Sequence, residues 1–313
     1  MAKVTNAFDT YSATADREAL SNVIYNISPS ATPFMSSIGK NNVKNVVFDW
    51  QTESLPTASG AGQLEGFELS RSASTATTRV SNVCQISSRD ATVTGSQESS
   101  DPAGKNSEMA HQLSIMSKAL KRDMEVALCQ KGAKTTGNAS TARVTGGFES
   151  WMTSNVSRGT GGSGSGGGAA PTDASNANKR DLTEALLKGV LQSCFSNGGE
   201  PSIAICGPVN KQVISGFTGR SQARQFVDVN TVEASVSIYS SDFGELKIVP
   251  SNLSRERSLL LVDPEYAKVS FLRDFQVQDI AKIGDAETKM VLAEYGLEMS
   301  NEAAHGIVAD LNG

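Results

Sequence analysis

The sequence predicts an α+β protein on three observations. One long amphipathic helix stands among strand-like patterns, apolar residues alternate at period two in several separate runs, and glycine, serine, threonine and asparagine are plentiful between them. The helix covers roughly residues 107 to 131. Met109, Leu113, Met116, Leu120, Met124 and Leu128 recur at steps of three or four on one face, with Lys118, Lys121, Arg122 and Glu125 opposite. Asn106 or Ser107 can accept a bond from a free first-turn amide, and Gly132 is expected to end the helix in a left-handed conformation. At ~1.5 Å per residue such a helix runs to roughly 37 Å, well beyond the average. One long helix laid against β structure suggests a scaffold rather than a pocket.

Taken in order, residues 1 to about 15 are polar and small and read as a flexible arm. Leu20, Val23, Ile24 and Ile27 mark about two helical turns, stopped by Ser28-Pro29. Thr32-Pro33 opens a short helix through Phe34, Met35 and Ile38, with Gly39 behind it. In residues 43 to 52, Val46, Phe48 and Trp50 alternate with Val47, Asp49 and Gln51, which is a half-buried strand. Thr78, Val80, Asn82, Cys84 and Ile86 repeat that pattern. Between these strands lies a glycine-rich connection with Leu55, Leu64, Phe67 and Leu69 spaced along it and no local helix to bury them. Long connections of this kind are usually functional or disordered, and this one reads as an arm meant for a neighbouring subunit.

After the long helix, residues 146 to 151 form a compact apolar patch. Residues 158 to 170 are almost wholly Gly, Ser and Thr, as in a flexible surface loop or linker. Helical spacing returns over 179–195, ended by Asn197-Gly198-Gly199. A short strand over 202–206 precedes a helix from Pro208 through Val213 and Ile214. Strand patterns then dominate: 232–239, 246–249, 259–262, 268–272, 291–299 and 304–311.

A chain of 313 residues has ample material for a core, as one large domain or two subdomains. Its 38% hydrophobic content lies below the usual range, which suits extended excursions that rely on neighbours for burial. A formal net charge of -5 gives no sign of a protein that coats DNA or RNA. Cys84, Cys129, Cys194 and Cys206 are scattered without paired spacing, as expected of reduced thiols. No signal-peptide or membrane-spanning run is present in the sequence, so a soluble protein is expected.

Chemistry finds little support. Gly162, Gly164 and Gly167 match a phosphate-loop spacing formally, but glycine and serine flank both sides where a strand and a helix start are required. Both histidines sit in E-x-x-H, as Glu108 with His111 and Glu302 with His305. With Glu125 and Glu184 these could make a di-iron carboxylate site, but only inside a bundle of four long helices that the patterns do not supply. No catalytic, cofactor or metal site is expected.

Several short stretches resemble a tailed-phage, podophage-type major capsid protein family. They include Arg17-Glu18-Ala19-Leu20-Ser21, residues 27 to 34 (ISPSATPF), residues 50 to 55 (WQTESL), Asn82-Val83-Cys84-Gln85-Ile86 and Val93-Thr94-Gly95-Ser96-Gln97. Phe243-Gly244-Glu245-Leu246, Ala281-Lys282-Ile283-Gly284-Asp285 and residues 294 to 306 (EYGLEMSNEAAHG) complete the set, with Ile283 standing where threonine is expected. The resemblance implies the shell fold of phage capsids, herpesvirus capsid floors and encapsulins. Its parts would be an N-terminal arm (1–43), an extended β-hairpin loop (44–96), a peripheral domain with a spine helix (97–132 and 263–303) and an axial domain (133–262 and 304–313). It implies a structural protein of the virion, assembled in the host cytoplasm into an icosahedral-type shell of hexamers and pentamers around double-stranded DNA. Scaffolding, portal and decoration proteins are its implied partners. Leu55, Leu64, Phe67, Leu69, Phe34 and Trp50 are the candidate inter-subunit contacts. An encapsulin-like compartment is the alternative within the fold, and a di-iron enzyme the remote one outside it.

Overall fold

A computed structural model describes residues 32–53, 55, 56, 58–68, 76–100, 107–217, 237–282 and 284–313. The arm before residue 32, the helix expected over 20–27, the start of the strand expected over 232–239, Leu69, Asn106 and Ile283 lie outside the described residues. Along the chain run α1 (Pro33–Ser37), β1 (Gly39–Asn42), β2 (Val47–Thr52), β3 (Thr78–Val83), β4 (Gln85–Thr94), α2 (Gly95–Ser99) and the long helix α3 (Glu108–Cys129). Then follow β5 (Val156–Ser157), α4 (Glu184–Ser196), β6 (Ile203–Cys206), α5 (Pro208–Ser215), β7 (Ile238–Ser241) and β8 (Gly244–Pro250). The chain closes with β9 (Ser258–Val262), β10 (Ala267–Ile280), β11 (Ala286–Met299) and β12 (Gly306–Ala309). They form a four-stranded sheet in the order β1-β10-β11-β4, a six-stranded sheet in the order β5-β12-β9-β6-β8-β7, and the separate hairpin β2-β3.

Helix α3 begins as its sequence dictates: the Ser107 hydroxyl accepts the amide of Ala110, and Glu108 occupies the first turn. Leu120, Met124 and Leu128 are buried in one core cluster with Val291, Ala293, Tyr295 and Leu297 of β11, and the helix lies across β4 and β11. The helix end differs from expectation. Its last residue is Cys129, capped by Gln130 in an extended conformation, and Gly132 is not left-handed. Glu125 also differs, because it is fully buried rather than solvated. Its carboxylate accepts the amides of Phe34 at 2.7 Å and Met35 at 2.9 Å, the free first-turn donors of α1. Burial raises its pKa, with those two amides opposing.

Strands β10 and β11 pair antiparallel over most of their length, and β1 lies parallel to β10 from Gly39 beside Lys268 to Asn42 beside Phe271. Strand β10 runs on to Ile280, eight residues past the expected end at 272. In that distal half Phe275 and Val277 alternate with Asp274, Gln276 and Gln278, but from Asp274 on only Phe275 is half-buried and the rest is exposed. The span expected as one extended loop, 44–96, divides at Cys84: β2 pairs with β3, whereas β4 pairs with β11.

The six-stranded sheet is centred on β9, buried along its whole length. Helix α4 starts one residue after Thr183, whose hydroxyl caps Leu186, and buries Leu187, Val190, Leu191 and Cys194 in a cluster with residues of β6, β9 and β12. The Gly/Ser stretch over 158–170 corrects its reading as a flexible linker. The amide of Gly159 donates to Asp310 Oδ2 at 3.1 Å, and Ser163 exchanges backbone bonds with Thr172. A Cβ at Gly162 would stand 2.4 Å from Asp310 Oδ2, and one at Gly164 would stand 2.6 Å from the Met152 carbonyl. Glycine is there because backbones pass too closely for a side chain. No described helix is long and apolar enough to cross a membrane.

Candidate assembly interface

The root of the β2-β3 hairpin is fixed to the body. Residues Val47 to Thr52 pair with Val83 to Thr78, which turns Phe48 inward and leaves Val47 exposed. A Cβ at Gly296 would lie 2.6 Å from the Phe48 ring, so glycine on β11 makes room for it. The half-buried ring of Trp50 lies 5.4 Å from Trp151, and Lys134 Nζ sits 5.5 Å from that second ring while donating to the Ser81 carbonyl. Asn82 is buried, its Nδ2 donating to the Leu297 carbonyl at 2.6 Å and to Thr145 Oγ1 at 3.0 Å. Its Oδ1 accepts the amide of Gly146 at 3.1 Å.

Beyond the root this support stops. Leu55 is 93% exposed, Leu64 84% and Phe67 51%. Cβ atoms built at Gly60, Gly62 and Gly66 would meet nothing within 4 Å. The hairpin is thus held at one end and leaves large apolar side chains in solvent at the other. Along its outer face runs a groove of about 690 Å³ lined by Asn45, Val47, Asp49, Arg79 and Ser81, with Arg79 and Asp49 paired across the strands.

The other candidate contacts sit elsewhere. Phe34 has no exposed surface; it packs edge-on against Phe148 within its own chain and offers nothing to a neighbour. Trp50 belongs to the root rather than the tip. The polar residues that fix the root and the core, Asn82, Glu125, Glu149 and Asp310, carry no sequence signal, because each is recognisable only once its distant partner is known. Glu149 is bound by Arg255 at 2.7 Å and Ser258 at 2.7 Å, with Asp173 on the other arm of Arg255.

The di-iron alternative does not survive the geometry. Glu302–Ala304 form a 3-10 turn between β11 and β12, not part of a long helix. Glu302 accepts the amides of Thr153 and Ser154 and the Ser154 hydroxyl, Glu125 holds α1, and Glu184 meets Lys188 and Tyr239. Among the described residues, no three His, Cys, Asp or Glu side chains gather as a metal would require.

The SU10 major capsid protein family matches residues 3–312 of the sequence. The chain belongs to that family. Its function is structural rather than enzymatic: it is a capsid shell protein. Among curated proteins it is 24% identical over 267 residues to the major capsid protein of Escherichia phage Phieco32, covering 84% of this chain and 68% of that one. Among solved structures, the cyanophage A-1(L) capsid asymmetric unit aligns with a TM-score of 0.72 at 10% identity, over 98% of this chain and all of that one. The holo-SrpI encapsulin complex from Synechococcus elongatus PCC 7942 aligns with a TM-score of 0.57 at 11% identity, over 98% and 96% of the two chains. Those likenesses give the fold, shared by viral shells and encapsulins. Family membership chooses between them in favour of the capsid.

Proposed function

We propose that the glycine-rich end of the hairpin, with Leu55, Leu64, Phe67 and Leu69, is the surface that a neighbouring copy covers when this capsid protein builds its shell. The observation that carries this reading is the contrast between a root fixed by Phe48, Trp50 and Asn82 and an end where Leu55 and Leu64 are almost fully exposed. Burying one such side chain is worth ~1.5–3 kcal/mol, and a shell repeats that gain at every contact. Deleting residues 57 to 72 is expected to leave the cooperative melt of the subunit intact while abolishing closed particles. Circular dichroism and electron microscopy of the same deletion test it. Normal shells would make this end dispensable, and an unfolded subunit would make it part of the core.

The wider reading is an icosahedral shell of hexamers and pentamers that encloses double-stranded DNA without reading its sequence, assembled in the host cytoplasm. Scaffolding, portal and decoration proteins would join it. In this reading residues 1–43 are the arm, 44–96 with β2 to β4 the extended loop, 97–132 and 263–303 with α3, β10 and β11 the peripheral domain, and 133–262 and 304–313 with the six-stranded sheet the axial domain. The distal half of β10, paired with β11 on one edge and, among the described residues, with no strand on its β1 side beyond Phe271, exposes Val277 and Ile280 and supports a second contact surface. Nucleic acid, rather than a protein cargo, is the expected content of purified particles.

A further inference from the structure

The Glu302-x-x-His305 pair lies where the chain passes from the four-stranded sheet to the six-stranded one, between β11 and β12. Glu302 is tied to the amides of Thr153 at 3.1 Å and Ser154 at 3.2 Å. Asn155 Nδ2 donates to the carbonyls of Ala303 at 2.7 Å and His305 at 2.8 Å. The imidazole of His305 is 0% exposed and stands edge-on to Phe148, with ring centroids 5.5 Å apart. Its Nδ1 accepts the amide of Asp263 at 3.1 Å, which assigns the ring proton to Nε2, and Nε2 has no hydrogen-bond partner.

We propose that His305 is an acid-sensitive pin: neutral, it locks the passage between the two sheets; protonated, it loosens it. The added proton would sit on Nδ1 and face the Asp263 N–H, setting donor against donor in a buried site. The groups around the ring do little to offset this. The Asp263 side chain accepts the amide of Glu265, Glu302 is engaged as above, and Cys194 of α4 donates its thiol proton to the His305 carbonyl. Glu149, next to Phe148, is committed to Arg255 and Ser258. Burial pushes the imidazole down from 6.5 to about 4, outweighing the Tyr266 backbone and the Glu302 charge, which favour the cation. The sign follows: an unfolded chain takes up this proton near 6.5, before the folded one does. The pin's contribution is therefore full above that pH and is lost as pH falls toward 4.

The test compares urea unfolding of the full chain with that of His305→Asn between pH 7 and pH 4. Asparagine can keep an acceptor near the Nδ1 position but never charges. The unfolding constant of the wild type should rise relative to the variant by on the order of a hundredfold over that range. A ratio that stays constant with pH overturns the proposal. If the variant does not fold, ¹⁵N-histidine spectra of unassembled wild-type subunits decide, with His111→Gln removing the other histidine's signals. A neutral Nε2–H ring at pH 6 is expected, and an imidazolium at that pH overturns it. Neither measurement depends on shell formation.

Discussion

At Glu149 a carboxylate with no exposed surface accepts from Arg255 and Ser258, while the guanidinium of Arg158, itself nearly buried, lies 4.0 Å away. Truncation to alanine would open a void beside two arginines and leave Asp173 as their one remaining carboxylate partner in the cluster. Removing one partner of a buried pair costs roughly 3–5 kcal/mol, so Glu149→Ala should lose about that much stability in a denaturant titration. The cysteines make a second prediction. All four are buried and unpaired, with Cys84 and Cys206 pushed up to about 11 and Cys194 up to about 12 by burial. Without thiolate at pH 8 and without access, none should react with a thiol reagent until denaturant is added. Residues whose role depends on period, such as Leu120 and Phe48, were legible in the sequence. Glu125 was not: its place on the helix pattern pointed to solvent, and only the folded chain brings α1 to it.

At the scale of elements, local chemistry was the legible part. Ser107 caps α3 as its type and position suggest, and Ser107→Ala should cost about 1 kcal/mol, read as a lowered midpoint in thermal unfolding. The loop over 158–170 was misread because composition alone cannot separate glycine chosen for freedom from glycine chosen for close approach. Its parts now make different predictions. Gly161 and Gly167 have positive φ and open space around them, whereas Gly162 and Gly164 press on Asp310 and Met152. A short epitope inserted after Gly161 should leave subunit folding intact, and one inserted after Gly164 should impair it; epitope accessibility and the melting midpoint report both. The distal half of β10 escaped the expected strand for another reason: Arg273-Asp274 follow Leu272 where the pairing with β11 is irregular, and these charges interrupt the apolar run before Phe275 and Val277 resume it.

For the whole molecule, the two ends of the hairpin should separate in mutants. Gly296→Val drives a side chain into Phe48 and should lower both the melting midpoint and the particle yield. Leu64→Ser or Phe67→Ser should lower particle yield alone, as counted by electron microscopy. Long-range topology was beyond the periodic signal. Nothing in residues 39 to 42 announces that they lie beside 268 to 271, and the order of the six-stranded sheet brings β12 next to β5 and β9 from the far end of the chain. The resemblance to capsid proteins supplied the order of parts that hydropathy could not.

The close, tilted approach of Trp50 to Trp151 has an optical consequence. These are the only indoles in the chain, and one belongs to the hairpin while the other belongs to the body. At 5.4 Å and a 56° tilt their transitions must couple, so the aromatic circular dichroism of the subunit should contain an exciton couplet arising at this joint alone. Trp50→Phe should erase the couplet while leaving the α-helical signal in place. Any swing of the hairpin against the body as particles grow would then register as a colour and intensity change in unlabelled protein, timed against light scattering from the growing shells.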